Sequence, residues 1–354
     1  MDMNKFDFSK IGLWLDGSGQ FSEIILSSRL RLHRNIKNKR FVSWSNNQEL
    51  AEVTNNLLEV LTISQYLKNC SVFNFEIEEK PVYDLFPERF LVNYKFINSS
   101  HPRALIVGEN EVLSVIINNH DHLNIQVYQS GLNLDDDYLL LSKIEDELEE
   151  HLNFSYSEQF GYLSALPTLA GTGMKASIIA HLPAMLKMGE LETIMKTLSK
   201  LRCNFTSLFS SGPQIIQGDL FIISNQVTLG ITEEEIIDSL AKIGIEIFNY
   251  EQSARDKMFR LNKYQIEDDI FRSLGVLQNA RSISFDEVIS NLSMVRLGCA
   301  QGLIKDISSK TLNKLLITLQ TQHLKLLNKE SLNIDSENYI RAEVLRQELK
   351  NENN

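Results

Sequence analysis

The segment Leu26-Ser27-Ser28-Arg29-Leu30-Arg31-Leu32-His33-Arg34-Asn35 sets three arginines at alternate or near-alternate positions behind two serines. On an extended strand side chains repeat every second residue, so Arg29 and Arg31 point the same way and two guanidinium forks can converge on one polyanion. That is chemistry for gripping phosphates. A second anion candidate is Gly171-Thr172-Gly173, read as opening a helix over Lys175 to Lys187 whose first amides would favour a negative group. The acid-rich stretch Glu145 to Glu150 has the composition of a cation site, but on a helix it reads as a solvated face.

The elements that must position these groups are legible from periodicity. Ala104 to Gly108, Leu113 to Asn118 and Leu123 to Tyr128 are short β-rich runs separated by turn residues, the pattern of an antiparallel meander. Leu139, Leu140, Ile144, Leu148 and Leu152 then recur at helical spacing behind Asp135-Asp136-Asp137, acids that suit a helix N-terminus. A strand over Leu220 to Ser224 and a helix from Thr232 to about Ile247 close the first domain. Beyond about Ser253 the helical periodicity is nearly continuous, with few glycines and no prolines. There Leu312, Leu315, Leu316, Leu319 and Leu326 mark an apolar stripe that also holds His323, read as a core-edge histidine.

A chain of 354 residues is long enough for a large domain and a smaller one. No segment approaches the run of roughly 18 to 20 apolar residues a membrane span needs, and the N-terminus lacks the charged and apolar regions of a secretory signal. Three scattered cysteines, Cys70, Cys203 and Cys299, fit a reducing compartment without structural zinc, so a cytoplasmic location without a metal site is expected. A net charge of −11 argues against a broad nucleic-acid surface, leaving room for a local basic pocket.

Ser-Ser-Arg-x-Arg-x-x-Arg-Asn resembles the nucleotide-binding entry of the ATP:guanido phosphotransferases, the family of creatine, arginine and bacterial protein arginine kinases. Phe160-Gly161-Tyr162-Leu163, Pro167-Thr168, Gly171-Thr172-Gly173 and His181-Leu182-Pro183 resemble the central signature of the McsB-type protein arginine kinases, and Ser224-Asn225-Gln226-Val227-Thr228-Leu229-Gly230 resembles their late strand and turn. Phe271-Arg272-Ser273-Leu274-Gly275 and Val295-Arg296-Leu297-Gly298 resemble segments of their C-terminal domain, which the metabolite kinases lack. The resemblance is collinear from about Ile24 to Arg346. It implies an α+β fold, an antiparallel sheet flanked by helices, followed by an α-helical domain. The divisions expected are a lead-in over 1–20, a catalytic-type domain over 21–252, a helical domain over 253–348 and a frayed tail over 349–354.

The resemblance also implies transfer of the γ-phosphoryl group of ATP, with Mg2+, onto a guanidinium of a protein substrate. Such transfer rests on positioning and on cations that neutralise the phosphates, and on carboxylates that orient a guanidinium whose pKa exceeds about 12. By this likeness Ser28, Arg29, Arg31, Arg34 and Lys175 would hold the nucleotide, His120 and Asp121 would stand at the catalytic turn, and Arg341 would read phosphoarginine within a motif spanning Glu337 to Ala342. The partners implied are a second copy of the chain, a zinc-binding activator protein and a Clp-type ATPase-protease.

Several positions depart from the family pattern. The family's Asn-Glu-Glu-Asp-His-x-Arg turn reads Asn118-Asn119-His120-Asp121-His122-Leu123-Asn124, so both glutamates and the arginine are replaced. Cys-Pro-Thr-Asn reads Leu166-Pro167-Thr168-Leu169, and Gly-Thr-Gly-x-Arg ends in Lys175, a point charge in place of a fork. The stretch Ser207 to Gln214, aligned with the family's arginine- and acid-bearing loop, holds no charge, and Arg202 lies nearby. Each lost charged hydrogen bond costs on the order of 1.5 to 3 kcal/mol, and one lost transition-state donor about 100-fold in rate. The expectation is a kinase fold with impaired phosphoryl transfer, serving as a binding or regulatory module in protein quality control. The alternative is an active protein arginine kinase with a rearranged site built from Arg29, Arg31, Arg34, Lys175, Asp121 and His120.

Overall fold

The computed structural model describes residues 6–75, 81–210, 216–328 and 333–351. Its organising element is β1 (Ile25–Arg34), which pairs antiparallel with β5 (Leu123–Ser130) on one side and β8 (Met174–His181) on the other. Leu30 and Leu32 of β1 are fully buried, while Arg29 and Arg31 between them are half-buried on the opposite face. With β2 (Ser71–Asn74), β3 (Ala104–Val107), β4 (Leu113–Ile117), β9 (Cys203–Ser210) and β10 (Ile216–Asn225), these strands form an eight-stranded sheet in the order β2-β3-β4-β5-β1-β8-β10-β9, every neighbour antiparallel. The short pair β6 (Tyr156–Ser157) and β7 (Gly161–Tyr162) stands apart. The expected meander is β3-β4-β5.

One face of the sheet is covered by helices. Leu30, Leu32, Ile125, Val127, Ala176, Ile178 and Ile223 lie in one apolar core with Val53 and Leu57 of α1 (Asn47–Ile63), Leu141 and Ile144 of α4 (Leu134–Glu149), and Ile236 and Leu240 of α7 (Glu233–Asn279). Each fully buried aliphatic side chain contributes roughly 1.5 to 3 kcal/mol. On the other face, α2 (Leu85–Glu88) and α3 (Tyr94–Ile97) close a second, aromatic cluster of Phe73, Phe75, Tyr83, Phe86 and Phe96 over Leu105, Val107 and Ile116. That cover reaches only the β2–β4 side.

Two local readings change. Lys175 to His181 is strand, not helix: Met174, Ala176, Ile178 and Ala180 are fully buried on one face, while Ser177 and Ile179 are buried on the other. A short run apolar on both faces is what a central strand and a buried helix share in sequence. The helix there is only α5 (Pro183–Lys187), followed by α6 (Leu191–Lys200). The helix expected to end near Ile247 runs on as α7 to Asn279, broken only by the non-helical angles of Asn262. It starts from a reciprocal capping box between Thr232 and Glu235.

The helical region continues with α8 (Phe285–Ala300), α9 (Ser309–Thr318), α10 (Thr321–Asn328) and α11 (Ile334–Asn351). Leu312, Leu315, Leu316 and Leu319 are buried, but Leu326 is exposed, because α9 ends and α10 restarts the helical phase between them. α11 carries a buried Leu349 and extends to Asn351, so the tail expected from residue 349 begins as helix. His323 is buried and ties α10 to the sheet domain. Its Nδ1 lies 2.7 Å from Glu88 Oε2, and the Glu88 carboxylate also accepts the amides of Gln322 (2.8 Å) and His323 (3.1 Å). Glu88 thus caps a helix through amides 234 and 235 residues away in the chain's second region. Glu88→Ala is expected to destabilise the protein by about 2 to 4 kcal/mol, a lost cap plus a lost charged hydrogen bond, seen as a lower denaturant midpoint at unchanged m-value. An unchanged midpoint would rule the clasp out as a stabilising contact.

Candidate functional site

The uncovered part of the sheet face carries the cations. Arg31 stands opposite Gln126 of β5 and Lys175 of β8, and Arg29 opposite Tyr128 and Ser177. Paired residues share a face, so Arg29, Arg31 and Lys175 form one patch with Gln126, Tyr128 and Ser177 around them. Among the described residues none of the three cations has an ion pair, and Nε of both arginines is buried without a hydrogen-bond partner. Burial and the neighbouring Arg29 bring Arg31 down to about 9, and burial with Arg31 brings Lys175 down to about 8. Three like charges crowded without a counter-ion make a receptor for a polyanion.

The patch is braced from below and beside. Arg29 sits 5.0 Å from the Tyr128 ring centroid, and Trp14 stacks on that ring at 4.2 Å, nearly parallel. Arg29 Nη1 donates to the Phe90 carbonyl (3.3 Å), and Gln126 Nε2 donates to the Leu91 carbonyl and Ser114 Oγ. Lys175 Nζ donates to the Asn225 carbonyl, while the Asn225 side chain bonds two backbone groups on one edge of β8, the Ala176 amide and the Met174 carbonyl. Trp14, Gln126, Tyr128 and Asn225 were not singled out as site residues. The strict alternation Asn124-Ile125-Gln126-Val127-Tyr128 was the available signal for two of them.

Ser28 and Arg34 fall on the other face, as their even numbering on β1 requires. Ser28 Oγ donates to Asp137 of α4 at 2.8 Å, and burial lifts that carboxyl to about 8 against the opposing Ser28 hydrogen bond. Arg34 is completely buried: Nε pairs with Glu145, Nη2 lies 3.5 Å from Glu233, Nη1 donates to the Thr172 and His33 carbonyls, and the fork covers the Tyr162 ring at 3.5 Å. The acid face over Glu145 to Glu150 is therefore solvated only in part, since Glu145 is the buried partner of Arg34. Gly173 shows why the glycine pair is there. It has φ +65°, and a Cβ would meet Arg34 Nη1 and the His33 carbonyl at 2.6 Å. The Gly-Thr-Gly turn seats the buried arginine and introduces β8; it opens no helix.

The turn between β4 and β5 holds His120 and Asp121. Asp121 is buried, and its oxygens accept from Asn35 Nδ2 (2.6 Å), the Ala165 amide (2.8 Å) and Ser164 Oγ (2.7 Å), with His33 Nδ1 at 3.6 Å. Burial alone would raise its pKa, but the nearby His33 ring and the hydrogen bonds from Ala165, Ser164 and Asn35 outweigh it and hold the carboxyl below its usual value. Asp121 is a fastener for three segments, not a group turned to a substrate. His120 and Asn119 are half-buried, and neither side chain makes a hydrogen bond among the described residues. They are the groups this turn presents. Burial lowers the pKa of His33, which bridges the arginine row and the turn.

Arg341 lies far from this face and is itself engaged. Its Nε donates to the Leu319 carbonyl, Nη1 to the Ile283 carbonyl and Asn338, and Nη2 pairs with Glu337. Four of its five donors are thereby engaged, and the side chain is buried. Arg202 is exposed at the start of β9, and residues 211–215 of the uncharged loop lie outside the described residues. No group of three or more potential metal ligands occurs among the described residues, and no described helix is long and apolar enough to cross a membrane.

The buried Asp121 gives a pH-dependent test. Because its folded pKa is depressed, its hydrogen bonds stabilise the protein above the unfolded value near 3.8 and are lost as pH falls through the lower folded value. Asp121→Asn is expected to cost about 1.5 to 3 kcal/mol at pH 7, and the gap to the parent protein should narrow below about pH 4 in urea titrations. A gap independent of pH would mean that the carboxylate charge is not what holds the turn.

The sheet and its helices are similar to solved structures of phosphagen kinases. A duplicated taurocyamine kinase from Schistosoma mansoni superposes with a TM-score of 0.57 at 18% identity over 71% of this chain and 35% of that one, and a lombricine kinase with 0.56 at 20% identity over 71% of each. The profile of the ATP:guanido phosphotransferase C-terminal catalytic domain matches residues 47–254, and that of the protein-arginine kinase McsB C-terminal domain matches residues 263–354. Relatives bearing the name protein-arginine kinase include those of Clostridium acetobutylicum, 35% identical over 95% of this chain and 99% of its own length, and Clostridium tetani, 34% identical over 96% and 98%. A Geobacillus relative of the same name is 34% identical over 99% of this chain and 98% of its own. With an antiparallel sheet of the phosphagen kinase fold, a helical C-terminal region and full-length relatives of that name, the chain belongs to the protein-arginine kinase family.

Proposed function

We propose that this protein binds ATP with Mg2+ on the Arg29, Arg31 and Lys175 face and is impaired in passing the γ-phosphoryl group to a protein arginine, acting as a nucleotide-responsive module within the cell. The observation that carries the reading is the contrast between the two halves of the site. The cation half keeps three unneutralised charges, whereas the sole carboxylate of the turn, Asp121, is consumed by Asn35, Ser164 and Ala165. Bound with the nucleotide, Mg2+ would neutralise phosphate charge. Asn119 cannot take a proton, and His120 cannot give a guanidinium the two-oxygen grip it prefers. Leu166 offers that guanidinium no polar atom.

An active kinase is the second reading, favoured by the relatives' name and by the survival of the arginine pair. Calorimetry with Mg-ATP, run beside mass spectrometry for phosphoarginine on an arginine-rich protein, separates the two. Binding without phosphoarginine is expected, with Arg29→Ala plus Arg31→Ala weakening binding at least 100-fold. Phosphoarginine made by the unaltered protein would replace this proposal by the second reading, and absence of binding would overturn both.

Lys175 adds a pH signature. With its pKa near 8 in the free protein, it loses charge as pH rises, so affinity for Mg-ATP should fall about tenfold between pH 7 and pH 9. Lys175→Arg should flatten that dependence, because a guanidinium stays charged throughout. A profile equally steep in the variant would remove Lys175 from the phosphate contacts.

A further inference from the structure

Buried arginines recur through this protein, and all but one are neutralised or saturated. Arg34 pairs with Glu145, Arg89 with Glu111, Arg255 with Glu251 and Arg341 with Glu337, while Arg103 gives its fork to three backbone carbonyls. Arg296 of α8 is the exception. It is 4% exposed, has no ion pair among the described residues, and makes one hydrogen bond, from Nη2 to Asn313 Oδ1 at 2.7 Å. Asn313 is fixed in turn by donating to the Leu15 carbonyl, so it orients the guanidinium without neutralising it. Burial pulls the pKa of Arg296 down to about 10, which leaves it charged at neutral pH. A charge removed from water without a partner is costly, and the cost falls when a counter-ion is supplied.

Arg296 lines a cavity of about 380 Å3 between α8, the first turn of α9 and Glu23 in the segment leading into β1. Lys305, Ser309, Cys299 and Ala300 line it as well, and Glu23 is the one acid among the lining residues. Ser309 is the first residue of α9, a ten-residue helix with no acid in its first turn, so the positive end of its dipole meets the cavity. A buried guanidinium, an ammonium and a helix N-terminus converge there, and none of the lining residues belongs to the patch of Arg29, Arg31 and Lys175.

We infer that this cavity is a second anion site, built for a compact phosphoryl group, either free phosphate or a phosphoryl group carried on a side chain. Arg296 supplies the oriented buried charge, Lys305 the mobile one, and α9 the backbone donors. Glu23 gives the cavity a preference: it disfavours a bare polyanion and tolerates a phosphoryl group attached to something cationic, such as a phosphorylated guanidinium.

Cys299 provides a reporter at the cavity itself, since it is half-buried there while Cys70 and Cys203 are buried elsewhere. The experiment measures alkylation of Cys299 in the full chain by peptide mass spectrometry, with inorganic phosphate, a phosphoarginyl peptide or the unphosphorylated peptide present. Phosphate or the phosphoarginyl peptide should slow alkylation at least threefold. The protection should vanish in Arg296→Gln and in Lys305→Ala, the latter an exposed position that does not endanger folding. It should persist in Arg31→Ala, which separates this site from the proposed nucleotide face. Protection by phosphate alone identifies a free-ion site, and stronger protection by the phosphoarginyl peptide identifies a side-chain-borne ligand. No protection, or protection that survives Lys305→Ala, overturns the inference whatever calorimetry says of ATP.

Discussion

The two-residue period of β1 is the constraint on which the rest of the molecule depends. A central strand paired on both sides must send alternate side chains to opposite faces, and here the faces have opposite tasks. The even positions, Leu30 and Leu32, enter the core with Ser28 and Arg34 at their flanks, and the odd positions, Arg29 and Arg31, meet Lys175 across the ladder. A shift of one residue would drive two charges into the apolar core and strip the opposite face of its cations at once. The core and the site therefore hold the same register.

Around that strand, buried ion pairs act as joints between distant segments. Arg34 ties β1 to α4, to the start of α7 and to the glycine turn; Arg89 ties the segment after α2 to Glu111 and to His323 of α10. Such pairs add little net stability over an apolar replacement, but losing one partner is expensive, so they specify which segments meet. Asp121 does the same with neutral donors.

The meander, the α4 helix and the helical second half were legible because each rests on local periodicity, whereas the fold class came from likeness to a family. Lys175 to His181 was not, because a strand buried on both faces carries no alternation, and the sign of the error came from reading Gly-Thr-Gly as a helix start when the glycine accommodates Arg34. The arginine pair was legible from spacing alone. The separation of Ser28 and Arg34 from it was equally present in their parity, but likeness to a motif outweighed it. What sequence could not reveal were partners far along the chain: Glu145 for Arg34, Glu88 for His323, and the three segments gathered by Asp121.

The long helix α7 has a consequence for how the two regions communicate. Its 47 residues, about 70 Å of continuous rod, cover the interval between the two matched domain profiles, and Asn262 at the edge of that interval is where its backbone leaves helical geometry. Two units joined by a flexible tether sense each other through effective concentration, which depends on tether length. Units joined by a rod with one bend have no such variable. Their mutual distance is set by the pitch of a helix, and the bend at Asn262 is held further by the bonds that Glu88 and Arg89 make to α10.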